Sequence, residues 1–560
     1  MTAQPFPPSD QQPRTGAVAT LENPVLRGFN PDPSILRVGV DYYIATSTFE
    51  WFPGVQIHHS RDLVNWRVLP GPLSRTSQLD MRGNADSGGI WAPCLSHDGA
   101  QFYLIYTDVK GWGPHEAFKD SHNYLITAPH IEGPWSEPSY LNSSGFDPSL
   151  FHDSLEHGGD GRKWLVNMLW DHRAGRSSFG GIVLQELDTT HTLKGPVHNI
   201  FSGTELGVVE GAHLYRKDGW YYLLTAEGGT GYQHAATLAR SSSLLGPYEV
   251  HPHNPLLTSW RHPELELQKA GHASLVETQG GEWYMAHLCG RPLEPGALDA
   301  GFCNLGRETA LQRLEWPQGG WPTLAGGTNL PQSRVPAPEL PPHPWPQRAA
   351  RDEFDTLTLG PEWQSLRVPV DSGWLSLEDR PGFLRLCGRE SPLSRHHQSL
   401  IARRLQAFEA QATTCLEFEP QHFQQMAGLI AYYDTRHWTY LRVSRDEVLG
   451  KTLTLLASDA GIYSEPLEHE ISIEGWERVY LRVQFQRQTY RFGYSPDGKS
   501  WSWLEPRFES LRLSDDYCGG LAFTGTFIGL CAQDLAGTRL HADFDFFEYL
   551  EFAEAEGVRE

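Results

Sequence analysis

Five short segments recur at nearly regular intervals along the first part of this 560-residue chain. They begin at residues 32, 92, 147, 211 and 272, so the steps between them are 60, 55, 64 and 61 residues. The segments are Asp32-Pro-Ser-Ile, Ala92-Pro-Cys-Leu, Asp147-Pro-Ser-Leu, Gly211-Ala-His-Leu and His272-Ala-Ser-Leu. Each precedes an aromatic-rich run typical of a β-strand, at 42–45, 102–106, 164–167, 220–224 and 283–286. Because no long stretch here has helical periodicity, the repetition predicts an all-β, five-bladed β-propeller around a central channel.

Equivalent positions of different blades meet near the axis of a propeller, so residues far apart in sequence can face one cavity. By this argument we expect Asp32, Asp147, Glu210 and His272 to converge. Asp32 and Asp147 each precede a proline, which biases the preceding residue toward extended backbone and so restricts where the carboxylate points. Three acidic side chains in one cleft suggest acid and base chemistry of the kind that cleaves sugars.

The second half of the chain has a different organisation. A proline-rich run over residues 323–350 predicts a stiff, extended connector. Alternating apolar and polar residues resume after it and predict a β-sandwich over residues 351–553. The propeller is assigned to residues 21–322, and residues 1–20, rich in Pro and Gln, are predicted to be a disordered extension.

The charge of the chain narrows the classes of partner. With 68 acidic and 45 basic residues, the formal net charge is −23. Such a chain has no electrostatic attraction for nucleic acid or an anionic membrane. A neutral, hydroxyl-rich ligand suits the aromatic content of 12% better, because apolar sugar faces stack on aromatic rings.

Several features favour a cytoplasmic location. The seven cysteines are an odd number without Cys-x-x-Cys pairs, which argues against a disulfide framework or a zinc knuckle. No basic start followed by an apolar run is present at the N-terminus, so no signal peptide is predicted. No stretch is long and apolar enough to predict a membrane span.

Specific motifs carry a family resemblance over nearly everything from residue 23 to about 550. They are Asn23-Pro-Val-Leu-Arg-Gly-Phe-Asn-Pro-Asp-Pro-Ser, Ser47-Thr-Phe-Glu-Trp-Phe-Pro-Gly, Gly145-Phe-Asp-Pro-Ser-Leu-Phe-His-Asp, Leu223-Leu-Thr-Ala-Glu-Gly-Gly-Thr and Gly306-Arg-Glu-Thr-Ala. The chain resembles inverting β-xylosidases of glycoside hydrolase family 43, in the two-domain branch that also cleaves arabinofuranosides. The resemblance implies a concanavalin-like sandwich as the second domain.

The resemblance also implies roles for the three carboxylates. Asp32 is the expected general base, Glu210 the general acid, and Asp147 the residue that orients the acid and keeps its pKa high. Inversion requires a protonated carboxyl at the leaving oxygen and an ionised carboxylate that activates water on the other face, typically ~6.5–9.5 Å apart. A second anion near Glu210 would raise the pKa of the acid, since like charges disfavour ionisation.

Further residues are implied to bind substrate. Arg307 matches the family's active-site arginine, and His272 matches a histidine near the channel centre that holds a divalent cation in some relatives. No metal is expected to be required, because one histidine is not a metal motif, although calcium near His272 remains open. The pocket residues implied are Phe49, Trp91, Trp170 and Thr230. The segment Phe523-Thr-Gly-Thr-Phe527 is expected to cover the pocket mouth, with Phe523 chosen over Phe527 to enter it.

The predicted activity is therefore removal of xylose from the non-reducing end of β-1,4-xylo-oligosaccharides, with side activity on α-L-arabinofuranosides and homo-dimeric or homo-tetrameric assembly as the relatives imply. Two alternatives stay open. A retaining glycosidase of the invertase type also uses an early aspartate, but the chain lacks that group's Asn-Asp-Pro-Asn, Arg-Asp-Pro and Glu-Cys motifs. A catalytically silent carbohydrate-binding propeller would not need all three carboxylates.

Overall fold

A computed structural model describes residues 19–113, 116–294, 296, 301–519 and 522–553. The structure is almost entirely β. Its helical turns in these ranges are Leu155–His157, Ser510–Leu513 and Asp515–Cys518. None of them has the length and apolar character that crossing a bilayer requires. The predicted disordered extension lies outside the described residues up to residue 18, and Thr20 already belongs to a strand.

Five antiparallel sheets form the predicted five-bladed propeller, and each begins at one of the five recurring segments. The strands of blade 1 are Ser34–Val38, Asp41–Thr46, Gln56–Ser60 and Arg67–Val68; of blade 2, Gly89–His97, Phe102–Gly111, Asp120–Ala128 and Ser139–Asn142; of blade 3, Ser149–His152, Lys163–Trp170, Phe179–Leu187 and Leu193–Phe201; of blade 4, Glu210–Lys217, Trp220–Glu227, Ala235–Ser241, Glu249–Val250 and Leu257–Thr258; of blade 5, Gln268–Glu277, Trp283–Gly290, Arg307–Glu315 and Thr323–Leu324.

The ring is closed by contacts between the first and last blades. The Asn23 side chain donates to the carbonyl of Leu311 and accepts from its amide, at 2.7 and 2.8 Å. The hydroxyl of Ser274 donates to the carbonyl of Pro33 and accepts from the amide of Ile35. Backbone groups at the seam are thus satisfied by side chains, as buried polar groups require.

The proline-rich connector packs on the propeller. Thr323–Leu324 pairs with the last long strand of blade 5. Arg334–Pro336 pairs with Thr20–Glu22 in a two-stranded sheet, and Val335 is buried there. The segment therefore runs as an anchored strap over the first domain.

The second domain is a sandwich of two antiparallel sheets. One contains Arg351–Asp352, Leu375–Ser376, Leu384–Cys387, Glu409–Glu417, Val479–Gln486, Thr489–Ser495, Ser502–Glu509 and His541–Glu551. The other contains Trp51–Phe52, Gln364–Leu366, Ser399–Arg404, Gln425–Asp434, His437–Asp446, Gly450–Asp459, Ile462–Ser464, Ile471–Ser472 and Phe527–Asp534. Their inner faces enclose one apolar core.

The two domains are joined by strand pairing as well as by side-chain packing. The propeller strand Trp51–Phe52 pairs with Gln364–Leu366 at the edge of the second sheet. The Trp51 indole stacks on Phe527 with ring centroids 3.7 Å apart. This fixes the start of the strand Phe527–Asp534, and hence the loop before it, against the first blade.

The backbone at Asp32 and Asp147 is not extended as the following prolines predict, and the other three recurring positions share its conformation. Residues 32, 92, 147, 211 and 272 are all left-handed, with φ of 55°, 35°, 53°, 56° and 40°. In blades 2, 4 and 5 the strand register shifts at this point. A bulge that carries a left-handed residue redirects its side chain. The left-handed conformation recurs once per blade. It is strained at Asp32, Asp147 and His272, where it holds an acidic or imidazole side chain at the channel, whereas Gly211 adopts it without strain.

Candidate active site

The three predicted carboxylates line one cavity at the centre of the propeller. Its wall consists of Asp32, Phe49, Trp91, Phe146, Asp147, Glu210, Thr230, His272, Arg307 and Phe523. Blades 1 to 5 all contribute to it, as convergence near the axis predicts, and Phe523 comes from the second domain. The charged groups thus meet although up to 275 residues separate Asp32 from Arg307 in sequence.

Asp32 has a polar neighbour at each carboxylate oxygen but, among the described residues, a hydrogen bond at only one of them. The Ser47 hydroxyl donates to Oδ2 at 2.6 Å, while Nδ1 of His272 lies 3.8 Å from Oδ1. The same Ser47 oxygen accepts from the amide of Ala92 at 2.7 Å. Burial, and the Arg307 charge, lower the pKa of His272 in spite of Asp32. The imidazole is therefore neutral near pH 7 and does not form a strong ion pair with Asp32.

Glu210 begins the innermost strand of blade 4, and part of its side chain faces open space in the cavity. Its low-dielectric surroundings, and then the charge of Asp32, raise the pKa of Glu210 to about 8, against the opposing charges of Lys119 and Arg307. A carboxyl in this state is protonated at neutral pH. It can therefore donate a proton, which an ordinary surface glutamate cannot do.

Asp147 lies beside this acid. Its Oδ2 accepts from the amide of Gly211 at 3.2 Å. Burial, followed by the charges of Glu210 and Asp32, raises the pKa of Asp147 well above its usual range. Because the interaction between two charges is mutual, Asp147 and Glu210 do not both ionise at neutral pH.

Arg307 supplies the positive charge at the base of the cavity. Its Nη1 donates to the Thr230 hydroxyl at 2.6 Å and its Nη2 donates to the carbonyl of Phe523 at 3.0 Å. The Nε is buried and makes no hydrogen bond to the described residues. An arginine with a spare donor beside a cavity is equipped to bind a hydroxyl oxygen of a ligand.

Aromatic rings form another part of the wall, and the Arg307 guanidinium lies over two of them, 4.8 Å from the Phe523 ring centroid and 5.6 Å from that of Phe49. The Phe523 ring lies 5.7 Å from Phe49 and 5.6 Å from Trp91 between centroids. The amide of Phe523 donates to the Ser87 hydroxyl, and the indole of Trp91 donates to the Ser87 carbonyl. Phe527, by contrast, is fully buried against Trp51. Phe523 is thus the residue that the second domain inserts.

Trp170 does not line the cavity as predicted. It lies behind Phe146, with ring centroids 6.3 Å apart, and its indole donates to the carbonyl of Ala117. Phe146 lines the cavity instead of Trp170, because it is adjacent in sequence to Asp147, which also lines it. That adjacency was visible in the sequence.

Lys119 was not predicted at all. Its ammonium lies 4.5 Å from the Trp170 ring and 4.9 Å from the Trp112 ring. Burial lowers the pKa of Lys119, while Glu210 and Glu116 oppose that effect. A lone lysine in a loop of blade 2 gives no sequence signal, since its role depends on rings from other parts of the chain.

A larger groove, of about 700 Å³, lies between the domains near Trp135 and Trp363. None of the three carboxylates borders it among the described residues. Charged and aromatic residues line this groove too, but the three predicted carboxylates meet in the cavity and not here.

Two family models match the chain. The model for glycosyl hydrolases family 43 matches residues 21–322. The model for the β-xylosidase C-terminal concanavalin A-like domain matches residues 351–550. Together they cover the propeller and the sandwich.

Several known proteins are similar to this chain over almost their whole length. The crystal structure of a xylan β-1,4-xylosidase from Bacillus halodurans superposes with a TM-score of 0.91 at 56% identity, covering 95% of this chain and 100% of that one. A xylosidase/arabinosidase 43B from Humicola insolens is 49% identical over 94% of this chain and 97% of its own length. A xylan 1,3-β-xylosidase from a Vibrio species is 48% identical over 95% of this chain and 99% of its own length.

Proposed function

The chain belongs to glycosyl hydrolase family 43, and we propose that it is an inverting, exo-acting β-xylosidase. It releases xylose from the non-reducing end of β-1,4-xylo-oligosaccharides. The observation that carries this proposal is the cavity itself, where a protonated Glu210 and a hydrogen-bonded Asp32 face one space that Phe523 covers.

The proposed reaction needs two proton transfers. Glu210 gives its proton to the glycosidic oxygen as the bond from that oxygen to the anomeric carbon breaks. Asp32 takes a proton from a water molecule, whose oxygen bonds to the anomeric carbon on the opposite face. Asp32 then returns its proton to solvent and Glu210 regains one, so the enzyme is restored and the released xylose has the inverted, α configuration.

Asp147 and Arg307 support this chemistry. Asp147 holds the backbone of Gly211, next to Glu210, and because the two carboxyls repel each other when both are ionised, it favours a state in which Glu210 keeps its proton. Arg307 limits the accumulated negative charge, and its guanidinium in the cavity wall is proposed to bind a sugar hydroxyl. His272, neutral beside Asp32, is proposed to bind a sugar hydroxyl.

The aromatic wall supports exo action. A xylose ring presents apolar faces that stack on Phe49 and Trp91. Phe523 closes the space above them, so the pocket accepts one terminal sugar and leaves no path for an internal segment of a chain. Lys119 and Trp170, whose ammonium and ring lie 4.5 Å apart, are proposed to contact the next sugar.

Side activity on α-L-arabinofuranosides is also proposed, in keeping with the xylosidase/arabinosidase from Humicola insolens. Because the chain is also similar to a xylan 1,3-β-xylosidase, substrates with β-1,3 and β-1,4 linkages have to be compared. We favour the β-1,4 linkage because of the more similar xylan β-1,4-xylosidase.

We propose that catalysis requires no metal. In the described part of the chain, a group of three side chains able to share an ion occurs at Asp434, His437 and Cys518, away from the cavity. Around His272 the oxygen donors are the catalytic carboxylates, and the nearby His213 and His234 offer nitrogen, which calcium does not prefer, so a calcium ion there would depend largely on water. No step is assigned to it.

The location and assembly remain proposals as well. All seven cysteines are free, which supports a reducing cytoplasm. A dimer or tetramer is supported by exposed apolar side chains on the edge strand Ile462–Ser464, where Ile462 is 73% exposed.

The proposal is tested with xylohexaose. Products are separated by chromatography during the first few per cent of conversion. Xylose and xylopentaose in equal amounts are expected, at rates that fall sharply in Asp32→Asn. Early xylobiose and xylotetraose, or xylotriose, would exclude exo action, and slower reaction of β-1,4- than β-1,3-linked xylobiose would reassign the linkage.

A further inference from the structure

Lys269 is a buried cation that the proposed reaction does not use. It lies in the innermost strand of blade 5, three residues before His272, and its side chain is 2% exposed. Its Nζ is 2.7 Å from Oδ1 of Asp516 and 3.2 Å from Oδ2 of Asp515. Both aspartates belong to the helix Asp515–Cys518 of the second domain. The contact is therefore an ion-pair triad across the domain boundary.

The helix leads directly into the loop that covers the active site. Residues 522–526, here called the lid segment, contain Phe523 and precede the strand Phe527–Asp534. The hydroxyl of Thr526 donates to the carbonyl of Leu513, just before the helix. The C-terminal end of the lid segment is thus tied to the turn Ser510–Leu513, just before the helix.

The triad also reaches the propeller segment before Arg307. Oδ2 of Asp516 accepts from the amide of Cys303 at 2.9 Å, and the amide of Thr526 donates to the carbonyl of Asn304 at 3.0 Å. Arg307 in turn donates to the carbonyl of Phe523. The helix, the lid segment and the Arg307 strand therefore form one closed set of contacts.

The charges in the triad depend on one another. Burial and the charge of Asp516 raise the pKa of Asp515 to about 7, with Lys269 and Arg307 opposing. Burial disfavours the charged form of Lys269, but Asp515 and Asp516 outweigh it and hold the pKa of Lys269 well above its usual range. Loss of the ammonium would leave two carboxylates close together in a dry interface, which is unfavourable.

Buried ion pairs are poor sources of net stability compared with apolar packing, but they specify how two elements meet. We propose that Lys269 is a positioning residue: by binding Asp515 and Asp516 it sets the lid segment so that the Phe523 ring covers the sugar and its carbonyl orients Arg307. This inference rests on the proposed function, because it assigns the lid a role in holding xylose.

The test compares Lys269→Met with a matched control. Lys451→Met removes another buried lysine, which pairs with Glu419 inside the second domain and does not touch the lid segment. Lys269→Met is expected to raise both KM for xylobiose and the Kd for xylose about 10-fold, because small displacements of groups in a binding site are costly. The Kd is measured by tryptophan fluorescence. Lys451→Met should lower Tm without changing either constant, and Lys269→Arg should restore part of the loss.

A readout independent of turnover is the labelling rate of Cys518 by a thiol reagent, assigned by comparison with Cys518→Ser. Cys518 ends the helix and is partly buried, whereas the other six cysteines are buried. Faster labelling in Lys269→Met than in Lys451→Met is expected. Equal labelling together with unchanged KM and Kd would overturn the proposal.

Two further outcomes are informative. If Lys269→Met does not fold, Asp516→Asn, which keeps an acceptor for Cys303, is expected to show the same changes to a smaller extent, and wild-type values there would also overturn the proposal. If the wild-type protein cleaves no xyloside, the proposed function fails, while the labelling rates still decide whether Lys269 holds the helix.

Discussion

The Ser47 hydroxyl donates to Asp32 at 2.6 Å while accepting from the amide of Ala92 at 2.7 Å. A side chain of blade 1 thereby fixes the proposed base to the first strand of blade 2. Contacts from two blades therefore fix the orientation of the Asp32 carboxylate, in addition to the left-handed backbone of Asp32.

Ser47→Ala should therefore impair the base without removing it. We expect kcat for xylobiose to fall about 10-fold with a smaller change in KM, because an interaction that orients a reacting group acts mainly on the chemical step. Steady-state kinetics measure this. In the Asp32→Ala background the same change should have almost no further effect, and independent, multiplicative losses would show that Ser47 does not act through Asp32.

Glu210→Gln tests the acid through the leaving group. Xylobiose has a poor leaving group that needs protonation, whereas p-nitrophenol leaves readily. We expect a loss in kcat on xylobiose of about 10²–10⁴-fold, and a much smaller loss on p-nitrophenyl xyloside. Equal losses on the two substrates would remove Glu210 from the acid role.

The pH profile should report the state of Glu210. Because the pKa of Glu210 is raised to about 8 and the protonated form is active, kcat/KM should decline as the pH rises through about 8. Asp147→Asn removes a like charge and should move this decline to lower pH. Lys119→Met removes an opposite charge and should move it to higher pH. Shifts in the same direction for both variants would contradict the assignment.

The domain boundary contains a second buried ion pair. Arg367 is 1% exposed, with its Nη2 2.8 Å from Asp86. Arg367→Met leaves Asp86 without this partner and should cost about 3–5 kcal/mol of unfolding free energy. Arg334→Met removes the surface pair with Glu22, where Arg334 is 76% exposed, and should cost about 0–1 kcal/mol. Calorimetry compares the two, and similar losses would mean that burial does not matter here.

Much of the architecture was accessible from sequence because it repeats. Five similar segments predicted five blades, and their equivalence placed Asp32, Asp147, Glu210 and His272 together correctly. The prolines after Asp32 and Asp147 do not predict the left-handed backbone at these two residues, which lie just before the first strand of their blades. At His272 the same conformation accompanies a shift in strand register. Lys119 and Ser47 were missed for a related reason: each acts through partners that only the folded blades bring near.

Contacts between the domains were the least predictable feature. Nothing in the alternation of the second domain indicates that Trp51–Phe52 completes its sheet, or that Lys269 meets the helix Asp515–Cys518. The connector, proline-rich and therefore expected to be a spacer, packs on the propeller because Val335 and Leu324 are apolar enough to be buried.

The most direct test of the account is a proton NMR time course of xylobiose cleavage, recorded before mutarotation equilibrates the product. A single displacement by water, with Glu210 as acid and Asp32 as base, predicts that α-xylose appears first. Initial formation of β-xylose would contradict it, because retention requires a covalent glycosyl-enzyme intermediate and a nucleophilic carboxylate in place of the base.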